Sequence, residues 1–198
     1  NWRELTKRLQ ILLMITHFDP NILDKIKGKY IVIDTNVLSD CSSDVEFYEV
    51  FFDIFKNNPL FIDPIVKLEF LRGAYAEKTY IEKNELLKLE KFLSMVDHQN
   101  IYKKIYDITF DIARIYSHKG RPHVPLGDIL ITARLFVQGE YLFLTEDKED
   151  FNTLMFDRLG VISFERTNNK DKHEYLQHLQ LLKINKEKYK KCLEELPQ

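Results

Sequence analysis

A three-layer α/β/α fold with a central parallel sheet is predicted by three features of the sequence. Four short runs, Tyr30-Ile31-Val32-Ile33, Leu60-Phe61-Ile62, Tyr141-Leu142-Phe143-Leu144 and Val161-Ile162-Ser163-Phe164, are almost wholly apolar. Strands apolar on both faces belong to parallel sheets that helices cover on both sides. The segments between the runs carry helical periodicity, and strands alternating with helices are the signature of an α/β domain. At 198 residues and 44% hydrophobic, the chain has enough apolar surface to bury one such core. The alternation runs over residues 29–166; residues 1–28 and 167–198 read as N- and C-terminal helical extensions.

Each element has its own signal. Trp2, Leu5, Leu9, Leu12 and Leu13 recur at helical spacing and predict an amphipathic helix over 2–16, which Asp19-Pro20-Asn21 breaks. Gly28 closes this lead-in, and the strand at 30–33 follows. Ser42-Ser43-Asp44 then supplies a cap for a helix on which Val45, Phe47, Tyr48, Phe51, Phe52 and Phe55 are the apolar positions, ending at Asn57-Asn58-Pro59. After the strand at 60–62, Asp63-Pro64 places a capping residue and a first-turn proline ahead of a helix that stops at Gly73. Longer helices are expected at 80–96 and 101–118. The segment 128–137 is apolar almost all round, so it is expected to be a buried helix ended by Gln138-Gly139. A strand at 141–144, a short helix or turn at 147–156 and a strand at 161–164 complete the domain. Beyond them Tyr175, Leu176, Leu179, Leu182, Tyr189 and Leu193, set among Lys and Glu, predict one or two amphipathic helices over 171–198.

Composition narrows the function classes. Lys plus Arg number 29 against 31 Asp plus Glu, so a formal charge of −2 gives no global attraction for nucleic acid, and a polyanion needs a local basic patch. Cys41 and Cys192 lie far apart without metal or redox spacing and read as reduced, packing thiols of a cytoplasmic protein. No stretch approaches the ~20 apolar residues of a membrane span. The block Ile11-Leu12-Leu13-Met14-Ile15 is shorter than a signal-peptide core.

In a parallel α/β sheet, ligands bind outside the carboxyl ends of the strands. Acidic residues fall there repeatedly. Asp34 follows the first strand, Glu69 sits on the helix after the second, Asp128 begins the buried helix, and Asp147 lies three residues past Leu144. Taken singly, Asp34 and Asp128 could be helix caps, Glu69 could pair with Arg72, and the run 146–150 could be a charged turn. Together at one sheet edge they would repel and raise one another's pKa unless a cation lay between them. Oxygen ligands without partner Cys or His favour Mg²⁺ or Mn²⁺, and such a site suits phosphodiester hydrolysis.

Four segments, "VIDTNVL" at 32–38, "IVKLEFLRG" at 65–73, "PLGDILITARL" at 125–135 and "LTEDKEDF" at 144–151, resemble in order and spacing the PIN-domain ribonucleases, most closely the VapC type of toxin. The resemblance covers 29–166. It implies a metal-dependent endoribonuclease that binds Mg²⁺ or Mn²⁺ and cleaves single-stranded or loop RNA, leaving 5′-phosphate and 3′-hydroxyl ends. On the matching positions Asp34, Glu69, Asp128 and Asp147 are the catalytic, metal-holding quartet. Asn36 and Thr145 are supporting polar residues, Asp150 is a candidate fifth carboxylate, and Thr35 is a turn residue. A cognate antitoxin and a homodimer are the partners this type implies.

Candidate RNA contacts are Lys67, Arg72, Lys119, Arg121, Arg134 and Lys148, with His123 nearby, because phosphate contacts need cations beside a repulsive acidic cluster. Tyr102, Tyr106 and Tyr116 are read either as base-stacking platforms or as helix packing. Two other readings remain. One is a catalytically silent scaffold of the same fold that binds RNA or a protein through its flanking helices. The other, a phosphatase with an aspartate nucleophile, needs a second Asp where this chain has Asn36.

Overall fold

The computed structural model of the chain describes residues 15–18, 20–89, 91–96, 99–167 and 174–197. Four parallel strands form its centre: β2 (Ile31–Ile33), β3 (Leu60–Ile62), β4 (Phe92–Ser94) and β5 (Leu142–Thr145). Ile31, Val32 and Ile33 have no exposed surface at all, as a strand covered on both faces requires. Three strands add antiparallel beside β5, namely β1 (Ile15–Phe18), β6 (Phe156–Thr167) and β7 (Glu174–Ile184), giving the sheet order β1-β6-β7-β5-β2-β3-β4.

Register fixes what stands at the sheet edge. Ile33 pairs with Ile62 on one side and Leu144 on the other. Asp34, Asp63 and Thr145 therefore follow in one row. Because β3 and β5 lie on opposite sides of β2, this row sits where strand order reverses, the place where such sheets bind ligands.

The helices are α1 (Pro20–Ile26), α2 (Thr35–Ser43), α3 (Val45–Ile54), α4 (Pro64–Arg72), α5 (Glu77–Leu87), α6 (Tyr102–His118), α7 (Leu126–Gln138) and α8 (Lys186–Glu194). Their ends obey local chemistry. Asp44 accepts the Phe47 N–H at 3.0 Å to cap α3, and Asp63 accepts the Ile65 N–H at 2.7 Å to cap α4 ahead of Pro64. Gly139 closes α7 at φ +67°, a conformation that favours glycine. On α3 and its C-cap, Phe47, Phe51 and Phe55 are essentially buried, and each such side chain stabilises the core by roughly 1.5–3 kcal/mol. On α6 the buried stripe is Ile105, Ile108, Ile112 and Ile115, facing α7. Both cysteines are free and buried, as packing thiols should be.

Several expected elements differ. The helix expected over 80–96 ends at Leu87, and Phe92–Ser94 instead becomes the edge strand β4. The strand expected at 161–164 is the middle of the twelve-residue β6, which runs antiparallel to β7. The expected C-terminal helical extension is corrected most. Residues 174–184 form a sheet strand between β6 and β5, and among the described residues of this extension only 186–194 are helical. Leu, Gln, Lys and Glu favour helix intrinsically, but pairing on both sides and burial on both faces override that preference here. Of the N-terminal helix expected over 2–16, residues 2–14 lie outside the described residues, and Ile15–Phe18 is strand. Among the described residues no helix is long and apolar enough to cross a membrane.

Candidate active site

Asp34 is the first residue past β2, and its backbone N–H still reaches Leu144 O across the sheet at 3.0 Å. It is also the N-cap of α2. Its Oδ1 accepts the Thr35 N–H at 2.7 Å, one of the donors a helix start leaves unsatisfied. Its Oδ2 accepts from Asn36 Nδ2 at 3.0 Å and from the Thr145 hydroxyl. Asn36 in turn accepts the Val37 N–H at 2.7 Å and the Glu146 N–H at 3.3 Å, tying α2 to the loop after β5. The polar triplet Asp34-Thr35-Asn36 is thus a bracket across two strand ends. Burial raises the Asp34 pKa to about 6; the Thr145 and Thr35 hydrogen bonds oppose that rise, and Glu69 and Asp147 add to it.

Glu69 comes from α4 and accepts the Thr35 hydroxyl at 2.8 Å on Oε2. Thr35 therefore does more than shape a turn. Asp128 lies in the first turn of α7, directly after Gly127. Its pKa is pushed up to about 7, by burial first and then by the charges of Asp34, Asp150, Glu69 and Asp147. The loop after β5 is folded around Asp147, whose Oδ1 accepts the N–H groups of Glu149 at 2.7 Å and Asp150 at 3.0 Å. The Asp147 N–H donates to Thr145 Oγ1 at 3.0 Å, and the Tyr116 hydroxyl holds the Asp150 carbonyl at 2.9 Å. Burial, then Asp147, also raises the Asp150 pKa.

The carboxylate oxygens of Asp128, Asp147 and Asp150 lie within 4.8 Å of one another, close enough to share one cation. Asp150, the candidate fifth acid, is thus in the tightest group. Asp34 and Glu69 are coupled to Asp128 by charge but occupied with Thr145, Asn36 and Thr35.

Some of the site comes from residues that sequence patterns did not mark. Thr145 pairs with Gln180 of β7, and Gln180 Nε2 donates to the Asp147 carbonyl at 2.8 Å. Three residues earlier, Gln177 Nε2 donates to Glu146 Oε2 at 3.2 Å and to Asp40. Gln177 Oε1 accepts from Arg166 Nη1 at 2.8 Å, and the Arg166 guanidinium also meets Asp40 at 2.7 Å and Asp44 at 2.9 Å. The paired strands β6 and β7 therefore clamp both α2 and the acidic loop. Two glutamines on a leucine-rich segment were the only visible signal, because the partner that matters most is a backbone carbonyl. Gly127 carried no signal either, and its role is steric.

The expected RNA contacts divide. Lys67, Arg72 and Lys148 are exposed. Lys119 is paired with Glu195, and Arg121 Nη1 donates to the Glu149 carbonyl at 2.7 Å. Arg134 is a correction: it is 4% exposed and paired with Asp63, so it is part of the interior and does not reach RNA. Tyr116 is likewise buried and cannot stack on a base, whereas Tyr102 and Tyr106 are exposed.

An all-oxygen set of closely spaced acids, in which burial and neighbouring negative charge raise the pKa values of Asp34, Asp128 and Asp150, fits a hard divalent cation. Hydrolysis of a phosphodiester is chemistry such a set can support. The sequence profile of the PIN domain family matches residues 31–156, which include every acid of the site. No curated protein and no solved structure matches the chain.

Proposed function

The chain belongs to the PIN domain family, whose members are in general nucleases that use divalent metals, and from that premise we propose that it is a metal-dependent endoribonuclease. The observation that carries this reading is the meeting of Asp128, Asp147 and Asp150 within 4.8 Å, with Asp34, at the strand-order reversal, and Glu69 coupled to Asp128 by charge. These five residues would hold Mg²⁺ or Mn²⁺, which supplies Lewis acidity to activate a water and to offset charge on the scissile phosphate. The chain's own residues do the rest. Thr145, Asn36 and Thr35 orient Asp34 and Glu69, while the Asp147 turn aims Asp147 and Asp150 at Asp128. Burial and the neighbouring acids raise the Asp128 pKa in the metal-free chain, so binding a cation there would displace a proton.

Within this reading the protein is the toxin of a toxin–antitoxin pair, held by a cognate antitoxin and acting as a homodimer in the cytoplasm. Tyr102, Tyr106 and Phe110, exposed at i, i+4 and i+8 on α6, support a dimer face. The deciding experiment is cleavage of labelled RNA in Mn²⁺ by the wild type and by Asp128→Asn, with folding followed by circular dichroism. The variant should lose cleavage and keep its fold; full activity in Asp128→Asn would remove the assignment.

A further inference from the structure

Beside the acidic loop lies an open cleft of about 400 Å³, whose charged lining is Arg121, Lys148 and Arg158, with no carboxylate. Its volume falls within the ~300–1,000 Å³ usual for ligand clefts. In a chain of formal charge −2, three cations on one concave surface are a local excess. The cleft adjoins the active site. Gln180 lines it and holds the Asp147 carbonyl, and Lys148 is the next residue in the chain.

Two features make its lining a reader of charge rather than of bases. The amide nitrogens that face it are engaged with backbone, Gln180 Nε2 on the Asp147 carbonyl and Asn152 Nδ2 on the Glu149 carbonyl, and Asn152 Oδ1 accepts the Leu154 N–H, which leaves the three cations and the Thr153 hydroxyl as the main donors of the lining. The register of β6 against β7 shifts between Arg158 and Gly160, a bulge of the kind that re-aims a side chain beside an active site. Arg158 itself is exposed and lies outside the segment that the family profile covers.

From this geometry we infer that the Arg121–Lys148–Arg158 cleft is a sequence-indifferent phosphate subsite. It takes the phosphodiester of a single strand next to the one placed at the acidic cluster. The inference rests on the ribonuclease reading for the identity of the strand. Phosphate contacts of this kind position a substrate without specifying it, and they make binding salt-dependent.

The test titrates a fluorescein-labelled single-stranded oligoribonucleotide of mixed sequence into the full chain carrying Asp128→Asn, over a series of KCl concentrations. Adding Arg158→Glu should weaken binding about tenfold or more at low salt. It should also reduce the slope of log K against log salt by about 0.7 for each phosphate that the protein no longer neutralises. Arg158→Lys should retain most of the affinity, and Lys56→Glu, in the turn before β3 at the other end of the sheet, should change nothing. In the cleaving protein, Arg158→Glu should raise KM and leave kcat. Unchanged affinity and salt slope in Arg158→Glu would overturn the subsite, as would a loss confined to one base sequence. A wild type that cuts no RNA yet binds it through Arg158 would overturn the ribonuclease reading and leave the subsite standing.

Discussion

Gly127 meets Glu69 so closely that a β-carbon at position 127 would stand 2.3 Å from Glu69 Oε1. Ile65 Cγ2, the nearest α4 atom outside Glu69, would be 3.8 Å away, so it is the end of the Glu69 side chain, and not the helix packing, that depends on the missing β-carbon. Asp128 is the next residue, and its carboxyl feels the Glu69 charge. The other Glu69 oxygen is held by Thr35. The glycine therefore shapes the acidic site without contributing a polar atom to it.

Gly127→Ala should separate stability from activity. Alanine is the better helix former by up to about 1 kcal/mol, so the melting temperature should hold or rise. The Glu69 carboxylate must swing away from Thr35 or from α7, and a misplacement of about 1 Å costs on the order of 100-fold in rate. Paired measurement of kcat/KM and Tm checks this. Activity equal to wild type would show that Glu69 has another acceptable place.

Arg134 makes a different kind of prediction, because its charge is buried against Asp63, which also caps α4. Removing one partner of a buried pair leaves an uncompensated charge and costs about 3–5 kcal/mol. Arg134→Ala should lower urea stability by that order. A variant of wild-type stability with impaired RNA binding would instead restore Arg134 to the RNA surface.

The parts of this architecture that were legible in the sequence share a cause. Asp34 and Asp147 were visible because a parallel register brings the residues after short apolar strands to one edge, Asp128 because it begins an almost wholly apolar helix, and Asp63-Pro64 and Gly139 are punctuation read locally. Asn36 and Thr145 could be assigned as supports only through the family motif, and the hydrogen bonds to Asp34 now give that support a geometry. What stayed hidden depends on partners far along the chain. In Glu174–Ile184, Leu176, Leu179 and Leu182 fit helical spacing, and only pairing with β5 and β6 makes a strand of them. Gln177 and Gln180 inherit that ambiguity: on a helix they would share a surface, whereas on β7 they are buried on opposite faces. Arg134 misled for the same reason. Its sequence neighbourhood is the acidic motif, but its spatial neighbour is Asp63, 71 residues away.

The raised carboxyl pKa values predict how stability responds to pH and to metal. Burial lifts Asp34 from 3.8 to about 6, so the folded chain prefers its neutral form. The stability this group contributes is fully present below its unfolded value near 3.8 and is lost as pH rises through about 6. For so deeply buried a group the loss amounts to about 3 kcal/mol. Asp128, raised to about 7, and Asp150, raised in the same direction, act with the same sign and extend the window upward. Metal-free protein in EDTA should therefore melt at a higher temperature at pH 5 than at pH 8. A divalent cation binds the ionised carboxylates and stabilises the folded chain by mass action. Mn²⁺ should accordingly raise Tm strongly at pH 8 and little at pH 5, where protons compete for the same oxygens. Thermal melts at the two pH values, with EDTA or Mn²⁺, check both statements. A metal-free Tm that rises from pH 5 to pH 8, or a Mn²⁺ effect equal at both, would mean that these carboxylates neither repel one another nor share a cation.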